Sequence, residues 1–101
     1  MTPTDTFAID GELSIYRAGE LREALLARLA EAAEHPLEID LAGVTEFDSA
    51  GVQLLVAARK SAAARGRELR LVRHSPAVLE VFQALDLAGH FGNAPNLPAA
   101  R

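Results

Sequence analysis

The chain has 101 residues, half of them apolar and 24% charged, with no cysteine and a formal net charge of −4. That length admits one domain around a single apolar core, and the absence of cysteine excludes disulfides and thiolate metal sites. The negative balance argues against a nucleic-acid partner, whose phosphates it repels.

Met1 to Asp10 carries Asp5 and Asp10 and no basic residue, so it lacks the basic n-region of a secretory signal, and a cytoplasmic location is expected. Phe7 to Asp10 and Leu13 to Arg17 show apolar alternation on both sides of Gly11-Glu12, which reads as an opening β-hairpin turning at Asp10-Gly11. Leu21, Leu25, Leu29 and Ala32 recur at helical spacing among charged residues, predicting an amphipathic helix to about Ala33 that His35-Pro36 stops. Leu37 to Leu41 alternates as a strand with one buried face, and Ala42 to Asp48 reads as a loop. A second helix begins at Asp48 or Ser49 and reaches Arg65, where Gly66 ends it. Its most apolar run, Val52 to Ala58, is broken by Gln53 and followed by Arg59 and Lys60, far short of the roughly 18–20 residues a spanning helix needs. No membrane insertion is expected.

Glu68 to Val72 is the next strand, and Ser75-Pro76 opens a third helix with Val78, Phe82 and Leu85 on its core face. Beyond Gly89 there is room for a short strand near Phe91, so the domain is expected over residues 1–91 with a frayed tail over 92–101. Strands alternating with helices imply an α/β domain whose sheet is mixed and largely parallel, the hairpin supplying the antiparallel pair.

Little in the chain suggests chemistry. His35, His74 and His90 sit at element ends with no two at ligand spacing, and each reads as a solvated loop residue, so no metal is expected. The seven glycines are dispersed and form no phosphate-binding loop, and no serine-hydrolase elbow is present. No cofactor and no catalytic turnover are therefore expected. Charge is segregated: residues 1–57 hold three basic and eleven acidic side chains, and residues 58–101 hold seven basic and three acidic. Arg59, Lys60, Arg65, Arg67, Arg70 and Arg73 crowd into fifteen positions, either as a patch for an acidic partner, a membrane surface or RNA, or as a solvated helix end and strand rim.

One segment stands out. Val44 to Leu55 places Ser49 at a helix start, where unpaired N–H groups and partial positive charge suit either a simple cap or a phosphate. Gly51 in the first turn costs about 1 kcal/mol against alanine. Beside Ala50 it lets another backbone approach, whether a partner's or the chain's own strand.

The strand Leu37-Glu38-Ile39-Asp40-Leu41, then Phe47-Asp48-Ser49-Ala50-Gly51-Val52 and a Leu/Ala-rich helix resemble the STAS domains of bacterial anti-sigma-factor antagonists. The Leu69-Arg70-Leu71-Val72 strand and the helix from Ser75-Pro76 through Phe82 to Leu87 extend the resemblance from Phe7 to about Phe91. It implies a non-enzymatic regulator that binds a partner serine kinase or anti-sigma factor while Ser49 is unphosphorylated, and that a serine phosphatase resets. Asp48, Ser49, Ala50, Gly51 and Val52 would then form the partner-binding segment. The same family implies an alternative: a constitutive accessory subunit of a chemotaxis-linked signalling complex or of a lipid ABC transporter.

Overall fold

Leu37, Ile39 and Leu41 alternate with Glu38, Asp40 and Ala42, and all three are fully buried in the middle strand of a parallel sheet. Each leucine or isoleucine so buried contributes about 1.5–3 kcal/mol relative to exposure. The computed structural model describes residues 5–31 and 35–85. Its elements run β1 (Asp5–Leu13), α1 (Ala18–Ala30), β2 (Leu37–Phe47), α2 (Ser49–Ala64), β3 (Leu69–Val72) and α3 (Pro76–Leu85). Among the described residues the sheet has the order β1-β2-β3, with both neighbouring pairs parallel and α1 and α2 as the crossover connections. The α/β class and the largely parallel sheet are as the sequence predicts, while the antiparallel pair expected of a mixed sheet is not among the described residues.

The opening hairpin is not formed. Asp10-Gly11 continues one nine-residue strand, and Gly11, at φ +82, lies where the pairing with β2 slips instead of where the chain turns back. The segment from Ala42 to Phe47 is likewise strand and not loop. From Ala8 to Asp10 β1 advances two residues while β2 advances three, Asp40 to Gly43, and from Gly11 to Glu12 β1 advances one while β2 advances two. β2 therefore carries an extra residue at each of two bulges. Its inward positions pass from Leu41 to Val44 to Phe47 at a spacing of three, which period-two reading cannot recognise.

α1 buries Leu21, Leu25 and Leu29 as its periodicity predicts, and α2 buries Leu54, Leu55, Ala58 and Ala62. The Ser75 hydroxyl accepts the Val78 N–H at 3.2 Å, confirming the predicted start of α3. Val78 and Phe82 are core, but Leu85, expected on the same face, is 57% exposed. The short strand predicted near Phe91, and the 91/92 boundary, lie outside the described residues.

The basic run from Arg59 to Arg73 does not act as one patch. Arg67 is buried, its side chain 4% exposed, and its guanidinium donates to the main-chain oxygens of His35 (3.2 Å) and Arg28 (3.0 Å) and to Asp5 Oδ2 (3.1 Å). One side chain thus joins the end of α1, the entry to β2 and the start of β1. Arg28 completes the cluster by donating to Asp5 Oδ1 and to the Thr6 oxygen, and its guanidinium lies over the Phe7 ring at 5.6 Å. The hydrogen bond from Arg28, and with it that from Arg67, holds the Asp5 carboxyl below its usual range. Arg70 pairs with Glu68 and Arg73 with Asp40.

Candidate functional site

β3 ends at Val72 opposite Asp40, so β1 and β2 run on together past it, to Leu13 opposite Phe47. The chain leaves these two carboxyl ends as the β1–α1 loop (residues 14–17) and as Asp48, the entry to α2. Such ends of parallel strands are the usual place for sites in α/β sheets. The candidate segment lies here.

Asp48 is the N-cap. Its backbone is extended, its Oδ1 accepts the Gly51 N–H at 3.1 Å, and its main-chain oxygen accepts the Val52 N–H at 3.1 Å. Its Oδ2 reaches in the other direction, to the Ile15 N–H at 3.2 Å. The Gly51 bond, ahead of the bond from Ile15, holds the Asp48 carboxyl below the usual carboxylate range. Between the two residues that the sequence leaves open as caps, the aspartate does the work. Ser49 is the first helical residue, exposed to solvent, and its hydroxyl is not the cap.

The five residues of the expected partner-binding segment divide. Asp48 and Ser49 are exposed and Ala50 is half-buried, whereas Gly51 and Val52 are buried. A Cβ on Gly51 would stand 2.4 Å from the Leu13 main-chain oxygen and 2.8 Å from Phe47 Cδ1. The backbone that Gly51 admits is therefore the chain's own β1, and the reading of this glycine as a landing point for a partner is corrected. Phe47 in turn stacks on Phe82 of α3 at 6.1 Å between centroids, and His74 meets the other ring edge-on at 5.1 Å. His74, expected as a solvated loop residue, is half-buried with its Nε2 enclosed, and burial lowers its pKa.

Sequence reading missed the β1–α1 loop. Its main chain is fastened at three successive N–H groups: Ile15 to Asp48 Oδ2, Tyr16 to Ser14 Oγ at 3.3 Å, and Arg17 to the Ser14 oxygen at 3.0 Å. Arg17 also donates to the main-chain oxygens of Asp10 and Glu12. Ile15 and Tyr16 nevertheless point outward, 68% and 88% exposed. The available signal was two large apolar side chains in a segment whose Asp-Gly read as a turn.

Among the described residues no cluster of three or more His, Cys, Asp or Glu side chains is placed to hold a metal ion, and no helix is long and apolar enough to cross a membrane.

Residues 3–97 match the family profile described as "Mlab, STAS domain". A sulfate transporter family protein from Wolinella succinogenes has a similar structure, with a TM-score of 0.76 and 18% identity over 95% of this chain and 80% of that one. RsbS of Moorella thermoacetica, in a serine-to-glutamate variant, is similar at 0.69 and 24% identity over 92% of this chain and 78% of its own. The anti-sigma factor antagonist SpoIIAA, in its unphosphorylated form, is similar at 0.69 and 23% over 88% and 79%. At these identities the likeness is one of fold. No curated protein matches the chain.

Proposed function

The chain belongs to the STAS domain family, and we propose that within it this protein is a non-enzymatic, phosphorylation-switched regulator whose partner docks over Ser49 at the start of α2. The observation that carries the reading is the division of labour between Asp48 and Ser49: the aspartate caps the helix, and the serine hydroxyl beside it is exposed and free of that duty. A partner serine kinase or anti-sigma factor would bind the unmodified surface. The kinase would transfer the γ-phosphoryl group of ATP to Ser49 Oγ, the hydroxyl proton leaving and ADP departing. A serine phosphatase would restore the hydroxyl.

The electrostatics give the switch its direction. A phosphate brings about −1.5 to −2 charges to a position flanked by Glu46 and by Asp48, whose carboxylate already holds the Gly51 N–H. In the free domain water screens this charge. Inside a closely packed interface, desolvating it unpaired costs several kcal/mol, enough for roughly a hundredfold loss of affinity.

A second reading keeps the surface and drops the switch. The similarity in fold to a sulfate transporter family protein supports a constitutive accessory role in a transporter or signalling complex, with Ser49 never modified. Intact mass after incubation with any co-encoded serine kinase and ATP separates the two, the switch requiring one added phosphoryl group that Ser49→Ala refuses. The switch reading is abandoned if no such kinase modifies the chain and Ser49→Ala and Ser49→Asp bind the partner equally.

A further inference from the structure

We propose that Ile15 and Tyr16 are the anchor by which the partner of the Ser49 surface is held, with Asp48 as the positioning residue that presents them; this rests on the reading of that surface as a docking site. Large apolar side chains normally gain their stabilising effect by burial, and in this domain these two gain almost none. The loop that carries them is not a loose one. Three consecutive main-chain N–H groups are bonded, and Ser14 beneath them is buried and donates to Glu12 Oε1 at 2.9 Å. A fixed main chain presenting an isoleucine and a tyrosine to water has already lost the conformational entropy that binding would otherwise cost. Tyrosine is also among the residues that most often dominate interface energetics.

Charge identifies the occupant. Glu12 and Glu46 face each other across the β1–β2 pair, Asp48 follows, and Glu20 lies in the first turn of α1. Arg17, the basic residue of this loop, is occupied by the Asp10 and Glu12 oxygens and lies 3.9 Å from Glu20. Acidic residues on the strands and helices that flank this apolar pair fit a folded protein that offers an apolar pocket bordered by lysine or arginine. It disfavours an anionic membrane or a second copy of the same acidic end.

Photo-crosslinking of the full chain in its own cells tests this. p-Benzoylphenylalanine is placed for Tyr16, for Gln53 (exposed, one turn into α2), and as a control for Arg65 at the far end of α2. Positions 16 and 53 should capture the same protein, through peptides containing lysine or arginine, and position 65 should not. Ile15→Ala and Tyr16→Ala should each lower capture from position 53 at least tenfold while leaving the thermal midpoint unchanged. Capture from 53 but not from 16, or capture from 53 that ignores both alanine variants, overturns the anchor and leaves the Ser49 surface standing. Capture at 16 that is sensitive to Ile15→Ala but indifferent to Ser49→Asp supports the anchor and overturns the switch. Capture of a second copy, or of nothing at either position, overturns the proposed partner.

Discussion

The carboxylate of Asp48 holds the main-chain N–H of Ile15 at 3.2 Å across 33 residues of sequence, while its other oxygen caps α2 through Gly51. A single side chain thereby fixes both the helix that carries Ser49 and the loop beside it. Asp48→Ala should lower the melting temperature by several degrees and speed amide exchange at Ile15 and Gly51 together, whereas Ser49→Ala should stay within about 0.5 kcal/mol of wild type in urea denaturation. Equal losses in the two variants would make Ser49 a second cap and remove the observation on which the switch rests.

Acid should expose the same carboxylate. Because the folded Asp48 carboxyl titrates below its unfolded value, its contribution is present above about pH 4 and is lost as pH falls through the folded value. Asp5 behaves likewise. Chemical denaturation between pH 5 and pH 2 should show a shallower loss of stability in Asp48→Asn than in wild type.

Gly51→Ala should destabilise the domain by about 1–3 kcal/mol, the range for overpacking, because the new methyl group meets the Leu13 oxygen and the Phe47 ring. The Leu13 oxygen belongs to the main chain and cannot swing aside. An alanine variant as stable as wild type in urea denaturation would mean that the α2 entry is looser than this packing requires.

Arg67→Met should cost about 3 kcal/mol, since it leaves the oxygens of His35 and Arg28 without their donor and takes one of two cations from Asp5. Arg67→Lys should recover only part of this, because an ammonium cannot reproduce the three-directional fork. Denaturation midpoints of the two variants check both statements, and full recovery by lysine would reduce the cluster to a matter of charge.

Burial lowers the pKa of His74, so as pH falls through about 6.5 the unfolded chain takes up the proton first. The unfolded state then binds more protons, and stability declines with falling pH until the folded imidazole is protonated as well. Between pH 7 and pH 5, His74→Leu should flatten the curve of stability against pH. An unchanged slope would place the sensitivity elsewhere.

The elements with local signals were legible. Leucines four apart marked α1, Ser75-Pro76 marked the start of α3, and Gly66 marked the end of α2. What misled was geometry settled by distant partners. Asp10-Gly11 has turn chemistry, yet β2 lies alongside and draws the segment into one strand, so the positive φ of Gly11 serves a slip in register. Leu41, Val44 and Phe47 matched no two-residue period because two bulges change which residues face inward. The start of α2 was readable as a helix entry, but the second bond of its aspartate cap goes to Ile15, 33 residues upstream, where no local signal marks it. In sequence Ile15 and Tyr16 fall inside the expected strand from Leu13 to Arg17, where alternation would put them on opposite faces, and only their shared exposure sets them apart.

β1 is an outer strand of the sheet among the described residues, and long outer strands are where proteins most readily recruit copies of themselves into growing sheets. This one is a poor template. Arg17 sits on the oxygens of Asp10 and Glu12, Arg28 sits on that of Thr6, and the bulged neighbour adds twist. An incoming strand would have to dislodge two guanidinium groups before it found a regular row of acceptors. The crossover from β1 to β2, its loop through Arg17 and its helix through Arg28, thus also guards the border it crosses from, and a concentrated solution of this acidic chain should remain free of fibrils where one lacking both arginines would not.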